Sequence, residues 1–267
     1  MLISELNVAS RSLYLFQPPY DCLAPVATTW LPGPDAPEGE AVVWCMGSTR
    51  DPGVEFAALA GRSHGLALIM VLPPPDELEP VREYLASLYA LRPKAVLPHV
   101  AIDAVSALRA VLYAPPASIG VSLGNYLAGR GVLPDDDTRA WVCRIFDLAP
   151  EVRSVTRLSS MLCMSRRTLG RHFAEAGLPV PSHWLQFARL LHAVFQLQRN
   201  GTSVFHVASK LGYPDGFTLS NQMKRILDLR PSEVRGVLGW EWVVERWLRR
   251  EKRSDQIKDG KTRSLEP

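Results

Sequence analysis

The sequence predicts a two-part chain: an α/β half built on a parallel sheet, then an all-α half in which a tight-turned pair of helices occurs twice. Three observations predict it. Before residue 135, short apolar runs of strand length alternate with helical stretches, the pattern of a parallel sheet with helices on both faces. After residue 155, a short helix, a tight turn and an amphipathic helix recur as two similar units. The charge divides in step with this. Residues 1–150 hold 10 Lys and Arg against 16 Asp and Glu, residues 151–253 hold 17 against 8, and the last 14 residues hold three of each. A net charge of +3 for the whole chain conceals a basic half suited to a polyanion and an acidic half that a polyanion would repel.

Composition narrows the classes. With 267 residues, 47% of them apolar and 21% charged, the chain has room for two domains with cores of their own. The start, MLISELNVAS, lacks the basic and apolar regions of a secretory signal, and the longest apolar run, Leu66 to Leu72, is too short to span a bilayer. Cys22, Cys45, Cys143 and Cys163 form no CxxC pair. Reduced thiols in a cytoplasmic protein with no membrane partner are expected.

In the first half a short strand is expected near Leu13 to Phe16, among proline-rich stretches. "AVVWCM" reads as a buried strand, "GVEFAALAG" as a helix, "LALIMVL" as a second buried strand and "DELEPVREYLASLYALR" as an amphipathic helix. "KAVLPHV" then reads as a strand and "IDAVSALRAVLY" as a helix. This flavodoxin-like order resembles the receiver domains of response regulators. Those domains need an aspartate at the end of the third strand and an acidic pair near the first. Here "LALIMVL" runs into Pro73-Pro74-Pro75, with Asp76 already at a helix start, so phosphorylation is not expected. There is no GxGxxG, GxxxxGK or GxSxG, so no cofactor and no catalytic residues are expected. His64 and His99 read as loop or strand-end histidines with no second ligand at metal spacing, and Cys45 as a small buried hydrophobe; no metal site is expected.

The second half opens at Asp135-Asp136-Asp137, read as a helix start rather than a metal site, because Asp caps free N–H groups and suits the helix dipole. The domains are therefore placed at 1–134, 135–235, a C-terminal amphipathic helix at 236–253 and a disordered tail at 254–267. The first helical unit is "VTRLSSMLCMSRRTLGRHF", turning at Cys163-Met164. In its second helix Ser165 caps, Leu169 and Phe173 share an inner face, and Arg166, Arg167, Thr168 and Arg171 point outward. Taken alone, that face reads equally well as a solvated basic surface. The second unit, "VFHVASKLGYPDGFTLSNQMKRI", turns at Gly212-Tyr213-Pro214 and continues into a helix from about Asp215. Between them, "SHWLQFARLLHAVFQLQ" reads as one long apolar helix capped by Ser182 and released at Asn200-Gly201. "GVLGWEWVVERWLRREKR" carries Trp240, Val243, Val244, Trp247 and Leu248 on one side, either capping its own domain or offering a protein-binding face.

Residues from about 138 to 235 resemble the DNA-binding domain of the AraC/XylS family of bacterial transcription regulators. The resemblance rests on "LSSMLCMSRRTLGRHFAEAGLPVPSHWL", Arg189, "VASKLGYPDGFTLSNQMKR" and the closing "RPSEVR". It implies two helix-turn-helix units on a linker helix, with recognition helices in successive major grooves of double-stranded DNA. By matching position, Arg167, Gly170 and Arg171 take base-facing slots in the first recognition helix, and Gly216, Phe217, Ser220 and Asn221 take those of the second. Arg pairs with guanine O6/N7 and Asn with adenine N6/N7. Ser165, Arg166, Thr168, Lys210, Lys224 and Arg225 fall to phosphate contacts, which position without specifying. The sequence departs from the family at Gly216, Asn221, Met223 and Asp228, which makes the first unit the expected main reader and the second a less specific clamp. The family's usual N-terminal β-barrel is not matched, so its ligands are not carried over.

The function expected is a sequence-specific, non-enzymatic transcription regulator of this type, an activator working with RNA polymerase as a homodimer. The first half would serve dimerisation or signal input without phosphorylation. The effector, the target operon and the choice between activation and repression stay open. The alternatives are an α/β enzyme with a DNA-targeting appendage and a ligand-free tethering protein.

Overall fold

Alternation decides the sheet. In β1 (Leu13–Phe16), Leu13 and Leu15 join one buried cluster and Tyr14 and Phe16 another, on the opposite face. The same division holds in β3 (Ala41–Cys45), where Val42 and Trp44 oppose Ala41 and Val43, and in β4 (Ala67–Val71), where Leu68 and Met70 oppose Ile69 and Val71. Both faces are therefore covered. The computed structural model describes residues 12–17, 20–30, 40–46, 52–62, 66–79, 82, 87–98, 105–114, 116–198, 202–234 and 239–263. The chain folds as two units, Met1–Ala114 with Gly236–Trp242, and Pro115–Arg235 with Val243–Pro267.

In the first unit, β2 (Leu23–Pro25) and β5 (Ala95–Leu97) complete a sheet of order β2-β1-β3-β4-β5. The expected parallel sheet is corrected to a mixed one. β3, β4 and β5 run parallel, but β1 is antiparallel to both its neighbours, with Leu15 opposite Ala24 and Val42. A six-residue link between β1 and β2 allows only an antiparallel return, since a parallel pair needs a crossover of a dozen residues or more. The order is that of a flavodoxin-like sheet; the strand directions are not. α1 (Pro52–Ala60) and α2 (Leu88–Leu91) supply Leu59, Leu88 and Leu91 to one cluster, and α3 (Val105–Tyr113) supplies Leu108 and Leu112 to the other. Of the amphipathic helix expected from Asp76, the described residues show a 3-10 turn at Pro75–Glu77, a helical Arg82 and α2. His64 and His99 lie outside the described residues.

The second unit begins earlier than the sequence reading places it. α4 (Ile119–Gly129) packs on α5 (Asp136–Leu148) so closely that a Cβ on Gly120 would come within 2.5 Å of the Cys143 carbonyl oxygen. At Gly124 the same atom would meet the Cys143 sulfur. Asp135 caps α5 by accepting from the Thr138 N–H at 2.7 Å, which holds its carboxyl below the usual range. α6 (Val155–Met161) and α7 (Arg166–Glu175) form the first helix pair; α8 (Pro181–Gln198) is the long apolar helix. α8 starts at Pro181, so Ser182 lies inside it and not at its cap; proline suits the first helical position, where its missing N–H has no partner to lose. α9 (Val204–Lys210) and α10 (Gly216–Leu227) form the second pair, followed by α11 (Pro231–Val234).

α12 (Trp240–Arg263) runs past Arg253, so the expected tail is helical as far as Arg263. Its Glu, Lys, Arg and Gln are strong helix formers, and polarity alone does not signal disorder. Within the second unit Trp247 is fully buried, stacked on Phe187 at 4.2 Å and edge-on to Trp184 at 4.7 Å. Glu245 accepts from Arg130 at 2.6 Å and from the Tyr126 hydroxyl at 2.8 Å, which fastens α12 to α4. From Val243 onward, α12 is a capping helix of this unit. No helix among the described residues is long and apolar enough to cross a membrane.

Candidate nucleic-acid interface

Both helix pairs turn on one device. At the end of α6, Cys163 adopts φ +56° and the Met164 N–H donates to the Ser159 carbonyl at 2.9 Å. At the end of α9, Gly212 adopts φ +68° and the Tyr213 N–H donates to the Ala208 carbonyl at 2.8 Å. A left-handed residue followed by this backward bond satisfies the last carbonyls of a helix and reverses the chain. The sequence signals Gly212 openly. Cys163 does the same work without glycine's freedom.

The second turn is braced from outside. The Arg189 guanidinium, on α8, donates to the Leu211 carbonyl at 2.7 Å and lies 4.4 Å from the Tyr213 ring centroid. Arg153 packs against Gly212 so tightly that a Cβ there would clash with its guanidinium. These two arginines, with Phe205, Ser209, Pro214 and Asp215, give the turn its surroundings.

α7 starts on Ser165, whose Oγ accepts from the Thr168 N–H at 3.0 Å and shares a hydrogen bond with the Thr168 hydroxyl at 2.8 Å. Leu169 and Phe173 are fully buried, which fixes the rotation of the helix about its axis. Arg166, Arg167 and Arg171 are exposed, and Gly170 has open space where a side chain would stand. Arg171 makes one loose ion pair with Glu175 at 3.7 Å, both largely in solvent, and such a pair exchanges readily for another anion.

α10 starts on Asp215, whose carboxylate accepts from the Thr218 N–H at 2.6 Å and is thereby held below the usual carboxylate range. Leu219, Met223 and Leu227 are buried, and Phe217, Asn221, Lys224 and Arg225 are exposed. Ser220 donates back to the Gly216 carbonyl at 2.7 Å, so its hydroxyl proton is engaged.

A protein-family model described as "Helix-turn-helix domain" matches residues 158–236. Residues 158–236 are an AraC-type helix-turn-helix domain. The chain is thus a DNA-binding transcription regulator. Two solved structures are similar. One is a transcriptional regulator from Chromobacterium violaceum described by its AraC-type DNA-binding domain (23% identity, 38% of this chain and 94% of that chain, TM-score 0.34). The other is transcriptional regulator CdpR from Pseudomonas aeruginosa (18% identity, 70% of this chain and 64% of that chain, TM-score 0.33). Comparison with curated proteins gives no match.

Within the AraC-type domain, Arg167, Gly170 and Arg171 fall on the outward side of α7, and Phe217 and Asn221 on that of α10. Lys210 is exposed at the end of α9. Two residues expected at phosphate already hold protein partners: Lys224 pairs with Asp228, and Arg225 donates to the Gln186 side chain at 3.1 Å. Asp228, a departure from the family pattern, has a role that the pattern does not signal. Asp228 ends α10 at φ +55°, its carboxylate also facing Arg246 at 3.3 Å and Arg250 at 3.8 Å from α12. Arg246 also donates to the Leu227 carbonyl at 2.7 Å. Nothing local in the sequence pairs residue 228 with residues 246 and 250.

Proposed function

We propose that the protein is a sequence-specific regulator whose two helix pairs are both helix-turn-helix units, α7 and α10 entering neighbouring major grooves of one duplex. The observation that supports this best is the outward side of α7: two exposed arginines flank a side-chain-free glycine, on a helix whose roll is fixed by Leu169 and Phe173. Arg167 and Arg171 carry bidentate donors for guanine, and Gly170 between them permits close approach. Ser165, Arg166, Thr168 and Lys210 contact phosphate, while Lys224 and Arg225 do so on exchanging their present partners. Gly216, Phe217, Ser220 and Asn221 face the second groove.

The division of labour follows the charge. The acidic first half serves dimerisation or signal input, and the basic second half binds DNA, acting with RNA polymerase as an activator in the cytoplasm. The chain is read as non-enzymatic. Cys45, the thiol nearest the sheet core, has a pKa pushed up to about 12, chiefly by burial and then by the nearby Glu55, and is a poor nucleophile.

Selection of bound duplexes from a randomised pool by the full chain tests this. The expected result is a preferred site with two parts one helical turn apart, about 34–36 Å, bound with a steep salt dependence. Recovery of no preferred sequence overturns the sequence-specific reading.

A further inference from the structure

The side of α10 that faces away from the core differs in kind from that of α7. Phe217, in the first turn, is 75% exposed, and among the described residues it is the most exposed large apolar side chain, with Phe205 on α9 next at 72%. Asn221 stands one turn further along the same side and is also exposed. Residues four apart on a helix are neighbours, separated by about 6 Å along the axis, or about two base-pair steps at 3.4 Å each. Gly216 has no side chain and its Cα faces Val204 and Phe205 of α9, the Ser220 hydroxyl proton is engaged by the Gly216 carbonyl, and the other exposed positions of α10 are Thr218, Lys224 and Arg225.

The cap adds a second constraint. α7 begins on a neutral serine, so a phosphate can approach its N–H groups; α10 begins on an exposed Asp215, kept ionised by the Thr218 N–H. A carboxylate at that end repels phosphate. The first turn of α10 is therefore poorly suited to the DNA backbone and left to base edges. The apolar group that base edges present in the major groove is the thymine C5-methyl, and the side chain suited to adenine N6/N7 is Asn.

We propose that α10 is a reader of A·T pairs: Phe217 packs on a thymine methyl, and Asn221 pairs with an adenine within about two base pairs of it. This rests on the reading of α10 as a groove-entering helix. It replaces the picture of the second unit as a less specific clamp with one of divided specificity, guanine for α7 and A·T for α10.

The test uses the full chain and the site recovered from the randomised pool. Each thymine is replaced singly by deoxyuracil, which removes only the methyl, and each adenine by 7-deazaadenine, which removes N7. The wild type, Phe217→Ala, Asn221→Ala and Phe205→Ala are then compared. The expected result is one thymine whose replacement weakens the wild type about fourfold, the value of one buried methyl, and leaves Phe217→Ala unaffected. One adenine nearby should behave in the same way toward Asn221→Ala, whose own loss on the intact site is about 5- to 150-fold. Phe205→Ala keeps both effects. Because Phe217 and Asn221 are exposed, neither variant disturbs the core. Three results overturn the proposal while leaving sequence-specific binding intact: a Phe217→Ala loss equal on all sequences, which would place the ring on sugar; no loss at all, which would assign it to a protein partner; or a selected site lacking A·T pairs in its second part. If the pool yields no preferred site, the parent reading falls with it.

Discussion

The two helix pairs of the AraC-type domain are alike where they are buried and unlike where they are exposed. Leu169 and Phe173 hold α7 as Leu219 and Met223 hold α10, and both turns close on a left-handed residue with the same backward bond. The outward sides differ over the first turns: arginines on α7, a phenylalanine and an asparagine on α10, whose exposed cations, Lys224 and Arg225, come only in its last turn and already hold protein partners. The caps differ, serine against aspartate. So do the far ends. α7 finishes at Gly177, φ +64°, with its own backbone closing the turn, whereas α10 finishes on Asp228 under the arginines of α12. A core that fixes the roll of each helix leaves its outer chemistry free to change, and one scaffold can carry two kinds of recognition.

The largest expected effect breaks the packing of α12, whose arginines hold the end of α10. Trp247→Ala removes the ring that anchors α12 and should lower stability by about 3–5 kcal/mol, measured by denaturant unfolding. Amide exchange should accelerate more near the end of α10 than in α7; equal acceleration would mean that the α12 contact is no special brace for α10. Next, Arg171→Ala should cost about 1–3 kcal/mol on the selected site and little on random duplex. Equal losses on both would make Arg171 a phosphate contact and erase the contrast with α10.

The turns offer a reciprocal pair. Gly212→Ala forces a side chain into a left-handed position already overlapped by Arg153 and should destabilise by about 1–2 kcal/mol, while Cys163→Gly should stabilise by about 0.5–1 kcal/mol. Thermal midpoints moving in opposite directions would show that the turns are equivalent. The smallest effect lies at the caps. Asp215→Ser should tighten binding to random duplex slightly by removing a charge that opposes phosphate. It should also change the acid response. The folded-state pKa of Asp215 is depressed, chiefly by the Thr218 N–H, so its contribution is full above the ordinary Asp value of about 3.9 and is lost as pH falls through the folded value. A serine cap does not titrate. The variant should therefore retain its cap in acid, with the lower acid-unfolding midpoint that this implies.

Strand positions were legible because period-two burial is written into the residues: Leu13–Phe16, "AVVWC", "ALIMV" and "AVL" all lie inside runs read as strands. Strand direction was not, because an apolar run reads the same in either sense, and the brief "LAP" of β2 ends in proline with no run at all. α4 escaped because "IGVSLGNYLAG" carries three glycines, which lower helix propensity. Two of them are there to let α5 come close, and that reason exists only in three dimensions. At the interface, the Ser165 cap, the buried pair Leu169 and Phe173 and the turn at Gly212 were legible because each is a local pattern. The α12 partners of Asp228 and the carbonyls met by Arg189 and Arg246 were not, since each lies across a long stretch of chain.

The fit of α4 into α5 decides where this chain can be cut. Severed at residue 135, the remaining piece would present to water the side of α5 on which Arg139 and Cys143 meet α4, and Glu245 would lose both Arg130 and Tyr126. Removing one partner of a buried ion pair costs about 3–5 kcal/mol, a large share of a small domain's stability. The portable piece, the one that recombination could join to a different sensor and still find folded, is therefore longer than the matched domain at both ends. It begins ahead of Ile119 and carries the tryptophan helix with it.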